Sequence, residues 1–233
     1  MASSSDHQRS VLRKYFLTTV LATGCVATIY GLLVRLEVMT PSNLAEVSCL
    51  PICDVDKPFH TETTQIGISS IDEQQSVAEL IGQDFDPEKV SILVDKSAYR
   101  LTVFYDSQPV KAYSTVFGSA PVGDKLAEGD RKTPEGIYRV KDLYPHSDWS
   151  KFIWLDYPTA QDWREHNAAK RAGNIALTAT IGSEIGIHGV PQGADNLIDS
   201  RSNWTWGCVS LKNQDIDEIY EVMSQGTLVE IVP

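Results

Sequence analysis

Tyr99-Arg100-Leu101-Thr102-Val103-Phe104-Tyr105 decides the reading of the fold. Tyr99, Leu101, Val103 and Tyr105 alternate with Arg100, Thr102 and Phe104, a period of two that sends successive side chains to opposite faces of a sheet. Working outward, the same character recurs in short runs: SILVDKS from Ser91, PVKAYSTVFG from Pro109, GIYRV from Gly136, KFIWLDYP from Lys151, IGIHGV from Ile185, CVSL from Cys208 and TLVEIV from Thr227. Gly, Pro, Asp or Ser turns separate these Val-, Ile-, Tyr- and Thr-rich runs, as between strands. Two stretches instead predict helices, residues 160–172 and 213–225. In the second, Ile216, Ile219, Tyr220 and Met223 share a face and Gly226 stops the run. Residues 90–233 therefore read as one mostly β domain with minor helices.

The preceding residues have a different composition. Residues 15–34 hold 20 positions without a charge, bracketed by Arg13-Lys14 and Arg35. As a helix rising about 1.5 Å per residue, this stretch matches the hydrocarbon thickness of a bilayer. Arg9, Arg13 and Lys14 outnumber Arg35 across its flanks, so residues 1–14 are expected in the cytoplasm and everything after the anchor outside it. Two alternatives stand beside a retained single-pass anchor: lipoprotein processing at Ala22-Thr23-Gly24-Cys25, and simple signal-peptide cleavage. Apolar sequence continuing past Cys25 favours retention.

The 233 residues carry 20 Lys+Arg against 31 Asp+Glu, a net charge of −11. That sign argues against nucleic acid as a partner, because phosphate neutralisation needs surplus cations. Resolved along the chain, residues 1–35 carry about +3, residues 36–89 about −9 and the rest about −5. Residues 35–89 thus read as an acidic stalk, with one short helix near 71–81. Cys49 and Cys53 lie in it as C-L-P-I-C; a disulfide is the default in an oxidising compartment, and a zinc site would need two further ligands that the neighbourhood does not offer. No metal site is expected.

Cys208 lies in Asn203-Trp204-Thr205-Trp206-Gly207-Cys208-Val209-Ser210-Leu211, where a glycine turn meets an apolar run. One reading makes it a small buried hydrophobe; the other exposes its sulfur beside turn N–H groups, with Gly207 allowing close approach. A cysteine nucleophile needs a base nearby. His7 and His60 fall in the cytoplasmic and stalk segments. His146 and His166 sit in polar surroundings that predict surface positions, whereas His188 ends the run Ile185-Gly186-Ile187. On the residues alone, a Cys208/His188 pair and a satisfied core histidine both stand.

Ile187-His188-Gly189, then Thr205-Trp206-Gly207-Cys208-Val209-Ser210-Leu211-Lys212-Asn213, resembles the signature of the L,D-transpeptidase catalytic domain, also called YkuD. Val94-Asp95-Lys96-Ser97, Pro121-Val122-Gly123-Asp124-Lys125, the run Gly129 to Tyr138 and Gly226-Thr227-Leu228-Val229-Glu230-Ile231 resemble it in order and spacing. The resemblance covers about 90–233 and implies a mixed, β-sandwich-like catalytic domain. It implies Cys208 as nucleophile, His188 as its base, the Gly189 carbonyl as orienter of the imidazole, and N–H groups of Gly207 and Cys208 as oxyanion donors. Thr205, Trp206 and Ser210 would shape or bind substrate. Trp206 stands where many members have histidine and Ser210 where many have Arg or Asn, so the base role stays with His188. Lys125 or Arg131 could meet substrate carboxylates, and Trp204 could cover the cleft.

The resemblance further implies a reaction without a cofactor. A tetrapeptide stem of peptidoglycan acylates the cysteine, the terminal D-alanine leaves, and an amine of a neighbouring stem or an anchored protein resolves the thioester. Water in place of the amine would make the protein an L,D-carboxypeptidase or a cross-link-removing amidase. A non-catalytic wall-binding module is the reading from another class. With the anchor, the expected location is the inner membrane, the domain facing the periplasm or wall space.

Overall fold

A computed structural model of the chain describes residues 59–60, 75–82 and 85–233. The expected anchor at 15–34, Cys25, Cys49 and Cys53 lie outside the described residues, among which no helix is long and apolar enough to cross a membrane. In chain order the elements are α1 (Val77–Ile81), β1 (Val90–Asp95), β2 (Arg100–Tyr105), β3 (Gln108–Ser114), β4 (Gly136–His146), β5 (Ser150–Leu155), α2 (Ala160–Ala172), β6 (Gly186–His188), α3 (Asn196–Asp199), β7 (Val209–Ser210), α4 (Asn213–Val222) and β8 (Leu228–Val232). Each of the eight strand-like runs in the sequence supplies one strand.

The strands form a single sheet in the order β3-β2-β1-β8-β4-β5-β6-β7. The domain is mostly β with minor helices, as expected, and the sandwich-like part of the expectation takes the form of one bent sheet. The hinge is β4, whose first residues pair with β8 and whose later ones pair with β5, with a register shift between Val140 and Asp142. A bulge of this kind bends a strand and sharpens its twist. Ile92, Val94, Leu101 and Val103 from one half of the sheet then share a core with Ile153, Leu155, Ile187 and Val209 from the other, sealed by Ile216, Ile219 and Val222 of α4.

Thr102 and Phe104 of β2, on the face away from this core, are also buried. Part of the segment read as stalk covers that face. The His60 ring packs against Phe104 at 4.3 Å between centroids, its Nδ1 lies 2.8 Å from Glu230 Oε2, and its Nε2 lies 3.0 Å from Ser91 Oγ. The backbone N–H groups of Phe59 and His60 donate to the same Glu230 carboxylate. Residues 59–60 are therefore packed on the domain, a correction to the reading of 35–89 as spacer alone. Downstream, a Ser76–Glu79 capping box starts α1, which buries Val77.

The helix α2 has the expected bounds, opened by a Thr159–Asp162 capping box and closed by Gly173 in the left-handed conformation. His166 on this helix is buried, contrary to its expected surface position, with Nδ1 2.6 Å from the Leu126 carbonyl. The helix α4 ends at Val222, short of 225, because Met223 is already extended and Ser224 and Thr227 bond to each other in a turn.

Candidate functional site

Parallel pairing of β6 with β7 sets Ile187 against Val209 and His188 against Ser210. Cys208 immediately precedes β7, so this register brings the C-terminal end of β6 beside the turn that carries the thiol. Both Cys208 and His188 line one cavity of about 740 Å³, walled mainly by Tyr144, Trp149, Phe152, Trp154 and Trp204 with Trp206 on its rim. Glu128, Glu184 and Lys125 are its charged members.

The turn is constrained locally. Gly207 has φ +144, and a Cβ there would lie 2.7 Å from the Lys132 carbonyl oxygen, so only glycine fits. Thr205 is buried; its hydroxyl donates to the Cys208 carbonyl at 2.6 Å and accepts the Gly207 N–H at 3.2 Å. That second bond bears on the expected oxyanion pair, because the Gly207 N–H already has a partner. The Cys208 N–H has no hydrogen bond among the described residues. Pairing of Val116 with Ser210 and of Gly118 with Thr205 laces residues 116–119 to the turn.

His188 is buried, with Nδ1 2.6 Å from the Gly189 carbonyl oxygen. A carbonyl only accepts, so the proton resides on Nδ1 and the lone pair on Nε2. The imidazole stacks on Trp149 (4.4 Å between centroids, 26° between planes) and on Phe152 (5.8 Å, 9°), with Trp204 edge-on at 5.6 Å. Burial among these rings lowers the His188 pKa to about 4, against the partial support of the Gly189 carbonyl. Cys208 is half-buried, and burial raises its thiol to about 11, with the Gly186 N–H and the Lys125 charge pulling the other way. With imidazole and thiol displaced in these directions, both are neutral at neutral pH. The Cys208 thiol donates to the Glu184 carbonyl at 3.5 Å, and no hydrogen bond joins it to His188 among the described residues.

The remaining sequence candidates separate. Ser210, expected to bind substrate, is fully buried and off the cavity wall; its hydroxyl donates to the Gly189 carbonyl at 3.3 Å. Trp206 is 75% exposed, with the Arg131 guanidinium 5.6 Å from its ring centroid. Lys125 is buried against Asp130, while Arg131 reaches the rim only through Trp206. His146 is on the cavity wall, stacked on Trp149 at 4.4 Å, where the sequence predicted a surface residue. Sequence reasoning missed Trp149. Its carbonyl accepts the Gly189 N–H at 3.0 Å while its ring covers His188, but no motif surrounds it.

Residues 89–231 match the family described as YkuD, L,D-transpeptidase catalytic domain. Over 124 residues the chain is 32% identical to the Escherichia coli (strain K12) protein named "Putative L,D-transpeptidase YafK", a stretch that covers 52% of this chain and 40% of that protein. Among solved structures, Bd1075 of Bdellovibrio bacteriovorus is 25% identical over 62% of this chain and 48% of its own, with a TM-score of 0.45. The helical cell shape determining protein Pgp2 of Campylobacter jejuni is 22% identical over 66% of this chain and 53% of its own, with a TM-score of 0.43. The chain thus spans about half the length of these relatives, or less. The family match covers more than half of the chain and contains both Cys208 and His188, and the protein belongs to the L,D-transpeptidase catalytic domain (YkuD) family.

Proposed function

We propose that this protein is a cysteine acyltransferase that acts on tetrapeptide stems of peptidoglycan. The observation that carries the proposal is the 2.6 Å contact between His188 Nδ1 and the Gly189 carbonyl oxygen, which leaves Nε2 as a base in the cavity that Cys208 lines. Family membership supplies the substrate class.

In acylation, Sγ of Cys208 attacks the carbonyl of the third stem residue as its proton passes to His188 Nε2. The C–S bond forms, the carbonyl electron pair moves to oxygen, and collapse of the tetrahedral intermediate breaks the C–N bond. His188 returns the proton to the departing D-alanine amine. An acceptor amine reverses these steps on the thioester, with His188 taking its proton, and no cofactor enters. The fused aromatic wall of Trp149, Phe152 and Trp204 keeps water from the imidazole faces.

Incubation of the full-length chain with a disaccharide-tetrapeptide, followed by mass spectrometry, tests this. A cross-linked dimer or a D-amino-acid exchange product is the expected result. A tripeptide alone identifies the hydrolase that uses the same acyl-enzyme, and binding without turnover identifies the wall-binding module. Turnover unchanged in Cys208→Ala would refute the mechanism. With residues 15–34 as a membrane anchor the domain would work on the wall side of the inner membrane. Protease accessibility in intact and opened spheroplasts tests that placement.

A further inference from the structure

Resting on the acyl-transfer reading above, we propose that the Lys125 ammonium is the second donor of the oxyanion site, completing it beside the Cys208 N–H. The turn itself creates the need. An oxyanion site for acyl transfer works through two or more donors aimed at the developing charge. Here the Gly207 N–H is engaged by Thr205 Oγ1, while the Thr205 hydroxyl proton is engaged by the Cys208 carbonyl. The Cys208 N–H is left as the backbone donor without a partner among the described residues.

Lys125 stands at the right place to supply the other. Its side chain is 4% exposed, it lines the cavity, and its Nζ is 3.7 Å from the position a Cβ would take on Gly207. Two acceptors hold it: Asp130 Oδ1 at 2.8 Å and the Ala127 carbonyl at 3.2 Å. An ammonium has three N–H groups, so one remains for the cavity. The contrast with Lys96 is informative. That equally buried ammonium meets three acceptors, on Gly123, Thr133 and Glu135, and has nothing left to donate.

The mount for Lys125 is rigid. Asp130 also accepts the backbone N–H groups of Leu126, Ala127 and Lys132, tying the loop around the ammonium. Burial pushes the Asp130 carboxyl up, but the hydrogen bond from Lys125, the N–H groups of Ala127 and Lys132 and the lysine charge outweigh it and hold it below its usual range. During attack the C–S bond forms, the carbonyl electron pair becomes an alkoxide, and Lys125 and the Cys208 N–H donate to it. Lys125 gives up no proton. A charge-assisted hydrogen bond is about twice as strong as a neutral one.

The test compares two reactions of the same thiol in the full-length chain. Acylation by a disaccharide-tetrapeptide passes through an oxyanion; alkylation by iodoacetamide displaces iodide and forms none. Lys125→Met should slow acylation by about 10²- to 10³-fold while slowing alkylation by less than about tenfold, the smaller effect of losing a cation near the thiol. Should that variant fail to fold by circular dichroism, Lys125→Gln, which keeps a donor for Asp130, is read by the same ratio. Equal losses in the two reactions, or acylation at the wild-type rate, overturn the assignment. A wild-type chain that is alkylated but never acylated overturns the acyl-transfer reading and this assignment with it, whereas wild-type acylation with an unaffected Lys125→Met overturns the assignment alone.

Discussion

The His188 imidazole and the Trp149 indole lie face to face, 4.4 Å between centroids, and the Trp149 carbonyl accepts the N–H of Gly189, whose own carbonyl orients that imidazole. One residue from the β4–β5 connection thus holds the His188 imidazole twice, through its ring and through its backbone.

The first consequence is a displaced acid limb. Base catalysis requires neutral His188, and burial lowers its pKa to about 4, so the rate is lost as pH falls through about 4 instead of about 6.5. Initial rates of Cys208 acylation between pH 3.5 and 8, taken where circular dichroism shows the fold intact, report the free-enzyme value through kcat/KM. A limb near 6.5 would contradict the buried-base geometry.

Trp149→Ala should move that limb upward, because water reaches the imidazole face and the charged form is no longer penalised. Trp149→Phe, which keeps an aromatic cover, should leave the limb close to that of the native chain. Removal of a half-buried indole also costs about 2 kcal/mol of stability, read as a lower Tm. A fall in Tm with an unmoved pH profile would show that Trp149 only packs.

How far the site could be read in advance follows from where its parts lie along the chain. Cys208 with Gly207 and His188 with Gly189 are contained in two short strings, each a strand end or a turn, and local sequence carries them. The eight strands were equally local. The closure of the sheet was not, because it depends on parallel pairing of β1 with β8 and on a bulge within β4. Nor was the burial of His60, whose partner Glu230 is 170 positions away. Trp149 and His146 were opaque for the same reason: a polar-looking loop joins the cavity only once β4 and β5 pair and place it over β6. Ser210 is the reverse case, a motif position expected at the substrate whose buried hydroxyl donates to the Gly189 carbonyl.

Gly207→Ala is expected to be more damaging than an ordinary surface substitution. The new Cβ would press on the Lys132 carbonyl at 2.7 Å and on Ile185 Cδ1 at 3.0 Å, with the backbone held at a positive φ. Strain of this kind costs about 1–3 kcal/mol, and relief of it must shift the turn that carries the thiol. Thermal unfolding and tetrapeptide acylation should both show losses; a variant with native Tm and native rate would refute the geometry of the turn.

The His60–Glu230 contact predicts that residues upstream of β1 stabilise the domain. Burial alone would raise the Glu230 pKa, but the hydrogen bonds from the His60 side chain, the His60 N–H and the Phe59 N–H outweigh it and hold the carboxyl below its usual value. His60→Ala removes the ring and leaves a buried carboxylate with fewer partners, a loss of about 1–3 kcal/mol. A fragment beginning at residue 90 loses the backbone donors as well and should melt lower still. Equal melting of the full chain, His60→Ala and that fragment would show the contact to be idle.

Asp124 gives a prediction of opposite sign. It lies under α2, where burial raises its pKa and the nearby Glu165 raises it further, although the N–H groups of Glu135 and Lys125 donate to Asp124 Oδ1 and pull it down. A carboxyl whose folded pKa is raised binds its proton more tightly in the folded than in the unfolded chain, so its contribution to stability is present at low pH and lost as pH rises through the folded value. Asp124→Asn keeps an acceptor for both N–H groups, removes the charge and supplies an amide donor toward Glu165. Its Tm should exceed that of the native chain at pH 8, and the difference should shrink or reverse at pH 5, where the native carboxyl is protonated. A difference that is the same at both pH values would mean that Asp124 ionises freely in the folded protein.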